Sequence, residues 1–448
     1  MAGLSSLTLS TMERQSYINI SFDEGINAML FDCGLRSGVF DNYPTAYHFF
    51  GNGQVRKITS LTEAETFGIT DGGVLGGVPH YHIERYYSFI GQDKPLYIMF
   101  NDCTDRKGGL ITPDFSCMSD IQLMAKGEVY QIGVWTEQRI WKLDNDGKYS
   151  FTELVGNLQA CAEMFSGHTG ITRDSASAAS IMLFANTASL YGDESATRKV
   201  DYKKLPHALS LNIPKVSVFL GQNGTDKVHA MQKRNVNMCP VGLMGIVLGC
   251  LTLASAEESI GSLLTMDLNK NDDFNDVELG FGSISDNGAA DNFGPIDTIN
   301  DVRRNVISQN GYIFPTTYKP KEASYYLNND QTLSPGDYGN IANNRVIHKC
   351  QRIIRSVMLP YVESNIDIDP STGKMSSADA AILQNEITQA LGDNLVNQKG
   401  QQQTNGCYID INTDVNILLT DSIEIDVSLF PADSSPVINF KEQYKIVE

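Results

Sequence analysis

The chain has 448 residues, a formal charge of −19, 42% hydrophobic residues and 19% charged residues. That length holds two or three domains with sizeable cores, and the composition is globular rather than disordered. An acidic surface repels phosphate backbones and anionic lipid, which argues against nucleic acid or a membrane as the main partner.

The start, Met1-Ala2-Gly3-Leu4, lacks a basic stretch followed by an apolar run, so no secretory signal is expected. The longest apolar run, Val241 to Leu251, is shorter than the ~20 residues of a bilayer span. Its Gly242, Gly245 and Gly249 predict a buried helix in close contact with its neighbours. The cysteines, Cys33, Cys103, Cys117, Cys161, Cys239, Cys250, Cys350 and Cys407, form no C-x-x-C pair and read as reduced thiols.

In chain order, residues 1–20 read as an extended arm leading into a first strand. Gly25 to Phe31 and Ala46 to Phe50 read as strands. Thr62 is a candidate N-cap for a short helix ending near Gly68. Ile83, Tyr86, Tyr87 and Ile90 fall at helical spacing, and Pro95 to Phe100 is a continuous apolar strand. Helix 119–126, strand Val129 to Val134, a helix from Thr152 to Phe165, and strands Ile181 to Asn186 and Val216 to Leu220 follow. Strands alternating with helices predict an α/β layer arrangement. Lys227 to Leu264 is largely helical with a break near Pro240. Residues 265–340 are rich in Asn, Asp, Gly and Tyr, with a helix from Asp297 to Ser308 and short strands at Gly311 to Phe314 and Ser324 to Leu327.

The last hundred residues are the most sharply patterned. From Asn343, Val346, Ile347, Cys350, Ile353, Ile354, Val357 and Met358 form an apolar stripe, with Arg345, Lys349, Arg352 and Arg355 on the other side. A second helix is capped by Ser376 or Ser377, and Asn397 to Gly406 is a Gln-rich loop. In the alternating run Ile423 to Leu429, Ile423, Ile425, Val427 and Leu429 share one face, opposite Glu424, Asp426 and Ser428. Pro431 and Pro436 interrupt it. A second extended run holds Val437, Ile438, Phe440, Tyr444 and Ile446, and needs an edge to pair with.

Little in the sequence points to catalysis. There is no phosphate-binding G-x-x-x-x-G-K-[ST], no G-x-S-x-G elbow and no H-E-x-x-H helix. Asp267 to Glu278 and Lys142 to Glu153 resemble calcium loops, but the first carries Asp272 where glycine belongs and the second starts on lysine. In an extended segment His80 and His82 would share a face near Asp102 and Cys103, which lacks further ligands for a metal. A small-substrate enzyme would need a deep pocket lined by His80, His82 and Asp102.

The run Asp337-Tyr338-Gly339-Asn340-Ile341 through Arg345-Val346-Ile347 and Arg352-Ile353-Ile354-Arg355 resembles the C-terminal domain of contractile tail-sheath proteins of phages and phage-tail-like injection systems. So does Ser422 to Pro431, followed by Val437-Ile438-Asn439-Phe440. About 110 residues carry the likeness well. It is weaker at Ile58 to Ile69 and at Tyr86 to Phe100, and the first twenty residues lack the proline-glycine-valine start of many members.

The resemblance implies a structural subunit without cofactor or enzymatic activity. Terminal arms would be lent as strands to the sheets of neighbouring copies. The contact is heterologous, so it propagates into stacked rings or a helix. The implied partners are the chain itself, an inner tube protein, and baseplate and tail terminator proteins. The implied location is a virion tail, or the bacterial cytoplasm for an injection system. Another virion structural protein, from a baseplate or capsid, is the alternative.

The expected fold is mixed α/β (α+β) and multidomain. It comprises an arm at 1–20, an α/β region at 21–336 with a polar boundary at 265–336, a helix-helix-strand core at 337–430 and a donor strand arm at 431–448. Ile423, Ile425, Val427 and Leu429 would line the receiving sheet, and Val437, Ile438, Phe440, Tyr444 and Ile446 the donated arm. If Arg345, Lys349, Arg352 and Arg355 hold acidic neighbours across a seam, salt should weaken assembly, because exposed charges are screened within ~8 Å at physiological ionic strength.

Overall fold

A six-stranded sheet divides the larger part of the chain into two packed faces. The computed structural model describes residues 24–33, 42–102, 115–138, 140–146, 148–166, 179–184, 205–234, 241–269, 279–282, 293–296, 299, 301–318, 321–361, 368–396, 402–432 and 438–445. The expected N-terminal arm at 1–20 lies outside them.

The strands of this sheet are β1 (Asn27–Cys33), β2 (Arg56–Ile58), β3 (Leu96–Asp102), β4 (Gln131–Thr136), β5 (Ser180–Phe184) and β6 (Val216–Phe219). Their order is β2-β3-β1-β4-β5-β6, all parallel except β2, which runs antiparallel on the β3 edge. β1, β4, β5 and β6 are buried along their whole length, as strands covered on both faces must be. Alternation along each strand splits the side chains. Met29, Phe31, Trp135, Met182 and Phe184 enter one core, and Ala28, Leu30, Ile132, Val134, Ile181 and Leu183 the other.

Helices α1 (Val78–Ile90) and α4 (Met244–Leu253) cover the first face; α2 (Met118–Met124) and α3 (Leu154–Ser166) cover the second. α4 is the apolar run read from the sequence. It packs against both the sheet and α1, buried from Met244 to Leu251. Glycine makes this possible. A Cβ at Gly245 would sit 2.1 Å from the His82 carbonyl oxygen, and one at Gly133 of β4 would sit 2.9 Å from Leu248 and Met244.

Three local expectations are corrected. Residues Pro44–Phe50 form a helix, not a strand: Ala46 and Phe50, four apart, are its buried residues. The helix Leu61–Thr66 is capped by Ser60 rather than Thr62; the Ser60 hydroxyl accepts from the Glu63 amide at 3.2 Å while Glu63 reaches back to the Thr59 amide at 2.8 Å. The polar stretch is also re-registered. Its helix is Asp301–Gln309, and its hairpin pairs Pro315–Tyr318 with Lys321–Leu327. Six of the eight cysteines lie among the described residues, and none of these six is in a disulfide.

A third core belongs to the C-terminal part. Helices α5 (Ile341–Met358) and α6 (Ser377–Leu391) pack with a three-stranded antiparallel sheet of β7 (Thr404–Ile411), β8 (Ser422–Pro431) and β9 (Ile438–Lys445). Ser376 caps α6, accepting from the Asp379 amide at 3.1 Å. β7 begins inside the Gln-rich segment expected to be a loop; its Ile409 and Ile411 enter the core.

Candidate functional site

The C-terminal sheet has the order β7-β8-β9. In β8, Ile423, Ile425, Val427 and Leu429 are buried against α5 and α6. Glu424, Asp426 and Ser428, on the opposite face, are half-buried. β9 pairs antiparallel with β8 of the same chain, from Ser422↔Lys445 to Leu429↔Ile438. In the single chain, therefore, the edge that receives Ile438, Phe440 and Tyr444 is its own. Val437 and Ile446 lie outside the described residues. β7 is the sheet's other outer strand, pairing with β8 from Ile411↔Ile425 to Thr404↔Pro431.

The basic helix does not form an exposed contact face. Arg345, Lys349 and Arg352 are buried, and only Arg355 is half-buried. The reason is that α5 runs past the end of α4 and the amino ends of β1, β4 and β6, where main-chain carbonyls and the Glu24 carboxylate meet its donors. Arg345 donates to the carbonyls of Leu251, Ala254 and Ser255 at 2.8–2.9 Å. Lys349 bonds Glu24, just before β1, and donates to Gln403 Oε1 at 2.8 Å. Arg352 donates to the carbonyls of Val129 at 2.6 Å and Gly127 at 3.2 Å, with its guanidinium 3.6 Å from the centroid of the Tyr130 ring. Between them, Asn344 donates to the Pro214 carbonyl at 3.1 Å, at the start of β6. The cations bind the C-terminal part to the α/β part within one chain. The expected seam of Arg345, Lys349 and Arg352 against acidic neighbours is corrected accordingly.

His80 and His82 also part company. They lie two apart on α1, so they face different directions. His80 Nε2 lies 3.0 Å from Glu65 Oε1. His82 donates from Nε2 to the Val241 carbonyl at 2.8 Å and accepts at Nδ1 from the Gly245 amide at 3.3 Å. Burial lowers its pKa to about 3, so the ring is neutral. Asp102 ends β3 opposite Cys33. Among the described residues no group of three His, Cys, Asp or Glu could hold a metal ion. Asp144 and Asp146 lie at the turn of the hairpin Trp141–Leu143/Tyr149–Phe151, and most of the other acidic loop, from 270 to 278, lies outside the described residues.

The sequence reading missed Asp32. The strand order reverses between β1 and β4, and in open parallel sheets ligands bind beyond the carboxyl ends of the strands at that point. Asp32, buried near the end of β1, is what stands there. Its Oδ1 accepts from Asn101 at 2.7 Å, and its Oδ2 from Thr136 at 2.6 Å and Gln138 at 2.7 Å. Burial raises its pKa to about 6, against the pull of those three donors. Both oxygens are engaged by neutral side chains, which suits a structural lock across β3, β1 and β4 better than an acid–base group. A lone Asp in an apolar strand gives no sequence signal, because its donors come from two other strands and a following loop.

Comparison with known proteins adds the fold. The chain is similar to one in the cryo-EM structure of the anti-feeding prophage (AFP) baseplate, 6-fold symmetrised, with a TM-score of 0.50 at 10% identity over 93% of this chain and 92% of that one. The two share a fold. The sheath tail protein of Desulfitobacterium hafniense aligns over 95% of this chain and 98% of its own at 10% identity and a TM-score of 0.48. The sheath tail protein of Listeria innocua aligns over 98% and 99% at 9% identity and a TM-score of 0.48. Residues 337–443 match the family described as DUF2586, C-terminal domain. No curated protein matches the chain. Among the described residues no helix is long and apolar enough to cross a membrane.

Proposed function

We propose that this chain is a structural subunit of a contractile tail sheath that polymerises around an inner tube. Copies would be linked by exchanged strands, and contraction would drive the tube through a cell envelope. The observation that carries the reading is the C-terminal sheet. Its outer strand β9 follows a connection at 432–437 that contains Pro436, and lies on β8 through main-chain pairing. The same register serves β9 of a second copy equally well, because exchange of an identical element replaces each bond by its equivalent. Closure in cis gives a soluble subunit; exchange in trans gives a polymer. The shared fold and the sequence resemblance at 337–355 and 422–440 point the same way. The domain divisions at 20, 336 and 430 are part of this proposal. So are the N-terminal arm at 1–20 and the tube, baseplate and terminator partners.

Deleting residues 431–448 tests it. The shortened chain should remain folded and soluble but form no long tubes in negative-stain micrographs, whereas the full chain does. Tubes of normal length from the shortened chain would sink the strand-exchange reading. The likeness to a baseplate chain favours a second reading, a baseplate component using the same exchange. A full chain that forms closed rings and never tubes would select it.

A further inference from the structure

On the strand-exchange reading β8 takes β9, which leaves the outer edge of β7 to receive a further strand lent by a second copy. The Asn412 amide donates to the Glu424 carbonyl at 3.0 Å. Antiparallel ladders alternate between bonded and non-bonded pairs. Asp410↔Asp426 and Tyr408↔Ser428 therefore belong to the bonded class with Asn412↔Glu424. The main-chain groups of Cys407, Ile409 and Ile411 then point away from β8, towards the sheet's outer edge. A strand from another copy would pair with those groups.

One of them is already taken. Gln384 of α6 donates from Nε2 to the Ile409 carbonyl at 2.6 Å. Its neighbours on α6, Leu383 and Ile387, are buried in the core beneath the sheet. The helix thus holds the Gln384 amide at the rim of β7 without further ordering of the chain. A side-chain amide has the same donor chemistry as the N–H of an incoming strand. We propose that Gln384 is a guard on the β7 edge, which must release the Ile409 carbonyl before a strand from a second copy of this chain can pair there. Uncovered edge strands invite unprogrammed pairing, and natural sheets blunt them. A neutral amide does so reversibly, because the arriving strand replaces its bond with an equivalent one. The guard raises the concentration at which copies join and leaves the finished ladder intact.

The test uses the full chain in sedimentation velocity over a concentration series. Gln384→Ala and Gln384→Met both remove the donor, and Met keeps the side-chain length. Gln389→Ala, an exposed position on the same helix, is the control. Both Gln384 variants should assemble at about two- to tenfold lower concentration than the unmodified chain, the range that one net hydrogen bond supplies. Gln389→Ala should not move the midpoint. Urea unfolding of the monomers should show all variants folded. An unchanged or raised midpoint in both Gln384 variants, with the unmodified chain assembling, overturns the guard and leaves the strand-exchange reading standing. If no protein in the set assembles at any concentration, the strand-exchange reading falls and the guard falls with it.

Discussion

Arg345 donates from Nη2 to the carbonyl oxygen of Leu251 at 2.9 Å, joining the C-terminal helix α5 to the end of the buried helix α4. Two further bonds, to Ala254 and Ser255, complete the contact. The last carbonyls of a helix have no partner within it, and Leu251 and Ala254 are buried. The guanidinium takes the place of solvent and faces the negative end of the helix dipole. A cation on a mostly acidic chain is here an internal cap.

Replacing Arg345 therefore attacks the whole molecule. Arg345→Met keeps the apolar volume but strands three carbonyls, and should lower unfolding free energy by about 3 kcal/mol or more. Arg345→Lys keeps the charge without the planar fork and should fall between. Urea unfolding of purified protein measures both. Equal stability of Arg345→Met and the unmodified chain would show that the carbonyls find other donors.

Helix contact at α1 and α4 depends on missing side chains. Gly245→Ala puts a methyl 2.1 Å from the His82 carbonyl oxygen, a rigid main-chain atom. The helices must separate, and the expected loss is several kcal/mol, at or above the ~1–3 kcal/mol of ordinary overpacking. Gly156→Ala in α3 is the contrast. A Cβ there meets nothing within 4 Å, so the change should stabilise by about 0.5–1 kcal/mol through helix propensity alone. Paired thermal melts should move in opposite directions.

Acid stability follows from buried titratable groups. His82 is held neutral, its pKa lowered to about 3 by burial, and His348 is pushed well below its usual value by burial and the nearby Lys215 and Arg352. The unfolded chain protonates both near pH 6.5, so it binds more protons than the fold below that pH, and stability drops as pH falls. Asp32 has the opposite sign. Its raised pKa lets the fold take up a proton between about 6 and 3.8 that the unfolded chain does not, so acid favours the fold there. The two histidines outweigh the one aspartate. Urea midpoints should decline from pH 7 to 4, and Asp32→Asn should steepen the decline. A flat profile in Asp32→Asn would contradict the assignment.

Much of the fold is legible in the sequence, for stated physical reasons. Continuous apolar runs such as Leu96 to Phe100 mark strands covered on both faces, and β8 alternates because one face is buried. α5 shows its apolar stripe, and the glycines of α4 announce close packing. What the sequence conceals is long-range pairing. Arg345, Lys349 and Arg352 look like a solvated face by periodicity, since the carbonyls that Arg345 and Arg352 meet lie 90–225 residues away in sequence, and the Glu24 and Gln403 side chains that Lys349 meets 325 and 54 away, none leaving a local trace. Asp32 is hidden for the same reason. At Pro44–Phe50 the aromatic residues suggest a strand, and burial of Ala46 and Phe50 on one side decides for a helix.

The outer face of the C-terminal sheet sets a last prediction. Asp410 of β7 lies directly across from Asp426 of β8, and Asp426 in turn lies across from Lys441 of β9. Like charges opposite one another oppose pairing, and an opposite charge at the next position offsets this. By register the three positions form one row whose sequence reads acid–acid–base while β9 is paired. Asp410→Asn should therefore stabilise the full chain slightly, by about a few tenths of a kcal/mol. In the chain lacking residues 431–448 the gain should be larger, because the base is gone. A double-mutant cycle in urea reads the difference directly, without any assembly assay. Equal gains in the two backgrounds would mean that β9 does not bring Lys441 to this row. A larger gain in the shortened chain would show β9 seated on β8 in the register that exchange between copies requires.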